Sequence, residues 1–184
     1  MSLKAKVKVG RVTNLSEARY CAGMGVDMLG FPVGEAGLKP EQYRQMIEWV
    51  AGPELVLEIH HFETSELKYI TDNYPGHYIE IGSHQLELLR NKDLNFVLAL
   101  KPGEWVNLYG ELMSYDNIKF VELIDASKSE VTAVKSIFPV LSSNVEFALS
   151  MNTGIALLGS DEEKPGVKDY SQVAEILESL EIDS

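Results

Sequence analysis

Residues 6–31 read KVKVGRVTNLSEARYCAGMGVDMLGF, and this stretch holds a complete βα unit followed by a second strand. Its first four residues alternate between charged and apolar side chains, which predicts a strand. Thr13 or Asn14 can cap the helix that follows, whose apolar residues share one face, and Gly25 supplies its C-terminal stop. The stretch therefore predicts a chain built from alternating strands and helices.

The same alternation continues along the chain, with Gly, Pro, Asn or Asp at nearly every join. Further strands are predicted over 27–31, 54–60, 78–81, 95–100, 118–124, 139–141 and 154–158. Further helices are predicted over 40–51, 64–73, 85–91, 104–113, 128–137, 145–151 and 171–180. This order implies a parallel α/β sheet, and its simplest closure is a small (β/α)8 TIM barrel with short loops, one domain over residues 1–184. Because such barrels seldom hold fewer than about 200 residues, an open doubly wound sheet is the alternative.

Composition restricts the classes of partner and the setting. The chain has 16 Lys and Arg against 28 Asp and Glu, a formal charge of -12 and a pI of about 4.7. Nucleic acids and anionic membranes are disfavoured as partners because both bind basic surfaces. A single cysteine excludes a disulfide framework and cysteine-based zinc motifs, which favours a reducing, cytoplasmic setting. No apolar run approaches a membrane span or a secretory signal. Cys21, Trp49 and Trp105 are expected in the core.

Five motifs occur in order along the chain. They are Lys8-Val9-Gly10-Arg11-Val12-Thr13, Gly25-Val26-Asp27-Met28-Leu29-Gly30-Phe31, Pro40-Glu41, Leu123-Ile124-Asp125 and Pro165-Gly166-Val167-Lys168-Asp169. Together they resemble the phosphoribosylanthranilate isomerase family. The resemblance implies a barrel that catalyses the Amadori rearrangement of an aminoribose phosphate in tryptophan biosynthesis. In that family an acid ending strand six protonates the sugar ring oxygen, and a cysteine thiolate ending strand one removes a proton from the sugar.

The chain departs from the family pattern at several functional positions. The resemblance gives Asp125 the place of the acid, but Gly10 occupies the position of the cysteine and Arg11 that of the following glycine. The loop at residues 34–38 is short and acidic where the family carries a basic residue for the anthranilate carboxylate. Residues 127–130 replace a glycine-rich segment. We therefore expect the activity of the family to be weak or lost.

A phosphate-binding site is expected after strands seven and eight, where backbone N–H groups can approach an anion. Ser142, Ser143, Gly159 and Ser160 are the candidates. The acidic residues 161–163 follow at once and oppose a dianion, although a solvated helix-entry loop is the favoured explanation for them. If the barrel retains a ligand, we expect a small phosphorylated sugar or related metabolite at the C-terminal mouth.

Charged residues are also expected inside the barrel. Glu58, His60 and Phe62 share one face of strand three, and alignment to the family turns that face inward. The same alignment places Glu80 beside Lys8 and Asp125. One interpretation is a structural network in which Lys8 pairs with Glu58 or Glu80, because buried charges need partners.

Two functional interpretations of these residues stay open. In the first, Asp125, Lys8, His60 and Glu80 are catalytic, with His60 or a glutamate as base in an aldose–ketose or Amadori-type isomerase or a related lyase. In the second, Glu58, His60, Glu80 and His84 hold zinc or manganese, but the spacing matches no metal motif. We predict no metal and no cofactor. A non-catalytic barrel that serves as a binding or interaction module is the alternative from another class.

Overall fold

The computed structural model describes residues 2–127, 138–159, 162–164 and 167–182. Within these ranges eight parallel strands form a closed barrel in chain order. They are β1 (Val7–Gly10), β2 (Met28–Pro32), β3 (Glu54–Glu58), β4 (Tyr78–Ile81), β5 (Phe96–Leu100), β6 (Ile118–Leu123), β7 (Val140–Ser142) and β8 (Gly154–Leu158). Because β8 pairs with β1 from Val7↔Ile155 to Gly10↔Leu158, the predicted TIM barrel is confirmed and the open sheet is wrong.

Short helices surround the barrel. They are α1 (Leu15–Gly23), α2 (Pro40–Ile47), α3 (Leu67–Asn73), α4 (Pro102–Leu112), α5 (Val145–Met151) and α6 (Ser171–Leu180). None of these exceeds 11 residues, which lets a complete barrel fit in 184 residues. None of the helices in the described ranges is long and apolar enough to cross a membrane.

Some elements differ from the sequence prediction. The segment Ser83–Arg90 is a 3₁₀ helix with non-helical dihedral angles at Gln85, and a second 3₁₀ turn, Thr64–Glu66, precedes α3. An antiparallel ribbon of β9 (Glu162–Lys164) and β10 (Val167–Lys168) follows the barrel and was not predicted. The helix predicted over 128–137 lies outside the described residues.

The first βα unit forms for local reasons. The Asn14 side chain caps α1 by accepting a hydrogen bond from the Ser16 N–H at 2.8 Å, and Gly25 adopts a left-handed φ of 80° after the helix. The Asp27 carboxylate accepts a hydrogen bond from the Val7 N–H at 2.8 Å, which ties the start of β1 to β2. The register Lys8↔Met28 follows from this attachment.

Two apolar layers enclose the barrel wall. The outer layer lies between strands and helices and includes Cys21 and Trp105, both buried as expected. The inner layer fills the N-terminal half of the barrel. Its residues are Met28, Val56, Val97, Phe120, Leu141 and Ala156. The core prediction for Trp49 is wrong: its side chain is 66% exposed, because α2 ends at Ile47 and its inward face does not extend that far.

Candidate active site at the barrel mouth

A layer of charged side chains lies above the inner apolar layer, toward the C-terminal ends of the strands. We call it the polar layer: Lys8, Glu58, Glu80 and Glu122, projecting inward from β1, β3, β4 and β6. Lys8 is 1% exposed, and its ammonium nitrogen contacts all three carboxylates. It pairs closely with Glu80, lies 2.7 Å from Glu122 Oε2 and lies 3.6 Å from Glu58 Oε1. One cation thus joins carboxylates from three strands.

His60 continues the polar layer toward the mouth. Its Nε2 lies 2.8 Å from Glu80 Oε1, and its side chain is 34% exposed. The other ring nitrogen, Nδ1, forms no hydrogen bond with any residue in the described ranges. A carboxylate therefore orients the imidazole through one nitrogen and leaves the second available at the mouth.

Burial and mutual attraction shift the pKa values of the cluster in different directions. Burial opposes the charge of Lys8, but Glu122, Glu80 and Glu58 together raise its pKa well above the usual value. Burial also opposes the charge of Glu80, yet Lys8 and His60 lower its pKa to about 2. Burial lowers the pKa of His60, but the hydrogen bond that its Nε2 donates to Glu80 and the charges of Glu80 and Glu58 outweigh this effect and raise it. Lys8 and Glu80 therefore stay charged at neutral pH.

Glu58 has the opposite balance. Burial and the neighbouring Glu80 raise its pKa to about 7, although Lys8 and the Arg11 N–H favour the charged form. Burial likewise raises the pKa of Glu122. Three carboxylates face one ammonium group, so their protonation states depend on one another. Within this cluster Glu58 is the carboxylate that changes charge near neutral pH.

Two glycines make room for the Glu58 carboxylate. A Cβ atom on Gly10 would lie 2.6 Å from Glu58 Oε1, and one on Gly30 would lie closer still. The Arg11 N–H donates to both carboxylate oxygens, at 3.1 and 3.0 Å, from a backbone with a left-handed φ of 56°. Gly10 is the position that the resemblance matches to the family cysteine, so a carboxylate from β3 fills the space beside the missing thiol.

The structure brings together most of the predicted interior residues and corrects one. Lys8, Glu58, Glu80 and His60 converge as expected, and the predicted pairing of Lys8 is confirmed. The inward placement of Asp125 is wrong: it lies two residues beyond β6, exposed, with a φ of 53°. If Asp125 acts as an acid, it does so from the rim of the mouth and not from inside the barrel.

Glu122 is the interior residue that sequence reasoning missed. It occupies the inward position on β6 that was expected of Asp125. The available signal was its alternation with Phe120, since both side chains must share one face of the strand. The family alignment drew attention to the end of the strand instead.

The candidate phosphate residues differ in what they can offer to an anion. Ser142 is fully buried and its Oγ accepts a hydrogen bond from Asn144 N at 3.2 Å, whereas Ser143 is exposed. The Gly159 N–H already donates to Gly10 O at 2.7 Å. A Cβ atom on Gly159 would lie 2.9 Å from the buried Glu17 carboxylate, so little room is left on that side of Gly159. Ser160 lies outside the described residues.

A metal site finds no support in the described ranges. They contain no group of three or more His, Cys, Asp or Glu side chains arranged to hold a metal ion. The Lys8 ammonium already lies among the three carboxylates. His84 is exposed, and its Nε2 lies 3.1 Å from the His60 carbonyl oxygen.

Comparisons with known proteins show the fold. No protein-family model matches the chain, and no curated protein matches its sequence. Similar solved structures include N-(5'-phosphoribosyl)anthranilate isomerase from Pyrococcus furiosus, with a TM-score of 0.70 and 20% identity over 95% of this chain and 97% of that one. The structure of phosphoribosylanthranilate isomerase from Thermotoga maritima has a TM-score of 0.73 and 15% sequence identity, over 96% of this chain and 98% of that one.

A third similar structure is a phosphoribosylanthranilate isomerase in complex with reduced 1-(o-carboxyphenylamino)-1-deoxyribulose 5-phosphate. It gives a TM-score of 0.72 and 18% identity over 95% of this chain and 97% of that one. The resemblance found in the sequence motifs is thus confirmed at the level of the whole fold.

Loss of the central cation should destabilise the protein strongly. We expect Lys8→Met to lower the free energy of unfolding by about 3–5 kcal/mol, because it leaves buried carboxylates without a counter-charge. The matched control is Lys68→Met, which breaks the exposed Lys68–Asp72 pair and should cost less than about 1 kcal/mol. Urea unfolding at neutral pH measures both, and equal effects would show that the polar layer is solvated.

A side chain at position 10 should conflict with Glu58. We expect Gly10→Ala to lower the free energy of unfolding by about 1–3 kcal/mol, because the new methyl group would collide with the Glu58 carboxylate, which the Arg11 N–H holds in place. In a Glu58→Ala background this cost should disappear, and a double-mutant cycle of unfolding free energies measures the coupling. Gly110→Ala is the control: nothing lies within 4 Å of its Cβ position on α4, so it should be neutral or stabilising. Additive effects of the two changes would contradict the packing of Glu58 against Gly10.

The raised pKa of Glu58 predicts a specific pH dependence of stability. Between pH 4.5 and 7 the folded protein keeps a proton on Glu58 that the unfolded chain has released, so the contribution of this group to stability falls as pH rises through that range. Glu58→Gln removes this titration. The free energy of unfolding of the variant, measured relative to that of the wild type, should therefore increase by on the order of 2 kcal/mol as pH rises from 4.5 to 7. Urea unfolding at a series of pH values tests this, and a constant difference would contradict it.

Proposed function

We propose that the protein is a phosphoribosylanthranilate isomerase-like barrel that binds a small metabolite of the sugar or phosphosugar type at its C-terminal mouth. On this proposal the mouth supports proton transfer of the isomerase kind, and the Amadori rearrangement of the similar enzymes is weak or lost. The observation that carries the proposal is the polar layer with His60 above it, because titratable groups with opposed pKa shifts converge where TIM barrels place their active sites.

The proposed loss of the Amadori reaction has its own support. No thiol is available at Gly10, and the Glu58 carboxylate lies against that position. The Gly159 N–H is engaged by Gly10, and the Glu17 carboxylate lies close by. Binding a phosphosugar in the manner of the similar enzymes would require this region to rearrange.

A non-catalytic barrel that serves as a binding or interaction module is the second candidate. One observation favours it: Lys8 contacts every carboxylate of the polar layer, which is what a purely structural network requires. A structural network needs no access from solvent, whereas a catalytic site does. The exposed edge of His60 supports the catalytic candidate, because a group that transfers a proton to a ligand needs access from solvent.

Turnover of phosphoribosylanthranilate tests the proposal first. The substrate is generated in situ, its loss of fluorescence is followed, and Asp125→Asn is the control for the acid at the rim. We expect no turnover above the control, because the base of the family is missing. Clear turnover that Asp125→Asn abolishes would contradict the loss of activity and would assign Asp125 the role of the family acid.

Ligand binding is tested separately by calorimetric titration with ribose 5-phosphate, ribulose 5-phosphate and unphosphorylated ribose. We expect saturable binding of at least one of these to the wild type, and weaker binding to His60→Ala. Tyr69→Ala, an exposed change on α3, is the control and should bind as the wild type does. Absence of saturable binding would favour the non-catalytic module.

A further inference from the structure

We propose that Glu58 and His60 form a proton-transfer pair acting on a carbon next to a carbonyl group, with Glu58 as the base and His60 as the proton donor to oxygen. This inference deepens the proposed function, and it rests on that function for the presence of a ligand at the mouth. It names two catalytic residues and a substrate class, a small α-hydroxy aldehyde or ketone.

The contacts of Lys8 single out Glu58 among the three buried carboxylates. Lys8 Nζ makes its short contacts with Glu80 and with Glu122, at 2.7 Å in the second case, and lies 3.6 Å from Glu58. Glu80 also bonds His60, so its oxygens are committed within the cluster. Glu58 is the carboxylate farthest from the ammonium group, and its pKa of about 7 suits a base at neutral pH.

The place of Glu58 in the barrel is also that of a reacting group. It is the last residue of β3, next to the mouth, and it is 7% exposed, which is similar to Glu122 at 8% and more than Lys8 at 1%. Gly10 and Gly30 present no side chains around the carboxylate. Two hydrogen bonds from the Arg11 N–H hold it in one orientation, and Arg11 has a backbone conformation that side chains rarely adopt. Strained backbone of this kind clusters at functional sites.

His60 supplies the second half of the pair. It lies two residues beyond Glu58, in the turn that follows β3. Glu80 bonds Nε2 and so acts as a positioning residue that also favours the protonated imidazole. Nδ1 forms no hydrogen bond within the described ranges and is free to donate to a ligand oxygen.

The reaction step balances without a cofactor. The Glu58 carboxylate takes the proton from the carbon that bears the hydroxyl group, and the electrons of the broken C–H bond form a carbon–carbon double bond. The carbonyl oxygen receives the His60 proton, which gives an enediol. The reverse transfers, to the former carbonyl carbon and from the other hydroxyl group, give the isomeric aldehyde or ketone and restore both residues.

Labelling with glycidol tests the pair without knowledge of the natural substrate. Glycidol is an uncharged three-carbon epoxide alcohol. A carboxylate oxygen attacks an epoxide carbon, the ring C–O bond breaks, and the released oxygen takes a proton from a nearby acid. We expect glycidol to esterify Glu58 of the wild type about a hundredfold faster than other carboxylates. Peptide mass spectrometry locates the added mass.

Variants on the same strand provide the controls. Glu58→Gln should lose the selective label, and Glu58→Asp, whose carboxylate is one methylene shorter, should label slowly. Glu54→Gln lies at the other end of β3, where its carboxylate bonds Tyr78, and it should leave labelling of Glu58 unchanged. His60→Gln should slow labelling of Glu58 at least about tenfold, because the opening ring loses its proton donor. Circular dichroism confirms that each variant is folded, and Glu58→Asp replaces Glu58→Gln if the latter is not.

The outcomes separate this inference from the proposed function. Esterification spread over surface carboxylates, or a Glu58 rate unaffected by His60→Gln, would overturn the pair even where sugars bind. Selective, His60-dependent labelling supports the pair, and it does so even if the calorimetric titrations show no sugar binding, in which case only the proposed ligand fails.

Discussion

The contact of the Lys8 ammonium with three carboxylates is the interaction on which the interior of this barrel depends. A lysine that is 1% exposed survives only with close counter-charges, and these come from β3, β4 and β6. The cation therefore helps to hold, in one register along the barrel axis, strands that are far apart in the sequence. It also divides the barrel into an apolar N-terminal half and a polar half toward the mouth.

The charge balance of that layer then decides the chemistry of the mouth. One ammonium group cannot satisfy three carboxylates, so the nearest partner, Glu80, has a low pKa and the most distant, Glu58, has a pKa near neutral pH. Separating the pKa values of neighbouring groups in this way is how proteins place an acid and a base in one site. A single buried lysine can therefore stabilise the fold and tune the carboxylates around it.

Similarity of fold and difference of site coexist here because they depend on different residues. Strand pairing, helix caps and the two apolar layers give a barrel that matches the phosphoribosylanthranilate isomerase structures along almost the whole chain. The mouth depends on a few positions, above all Gly10. Its missing side chain admits a carboxylate from β3, while its carbonyl oxygen engages the Gly159 N–H. The first of these effects depends on the glycine, whereas the second is a backbone bond that continues the pairing of β1 with β8.

The sequence by itself predicted the order of strands and helices and which residues of β3 share a face, because strand alternation and helix capping are local properties. The inward direction of that face came from the resemblance, and the pairing of Lys8 was one of the interpretations that the sequence left open. It misplaced Asp125 and overlooked Glu122, since two residues beyond a strand end the backbone turns to a φ of 53° and alternation no longer gives direction. Only the tertiary structure showed that Glu58 reaches the space beside Gly10 and Gly30. The reason is physical: which side chain fills a gap depends on register and distance between strands that are far apart in the chain.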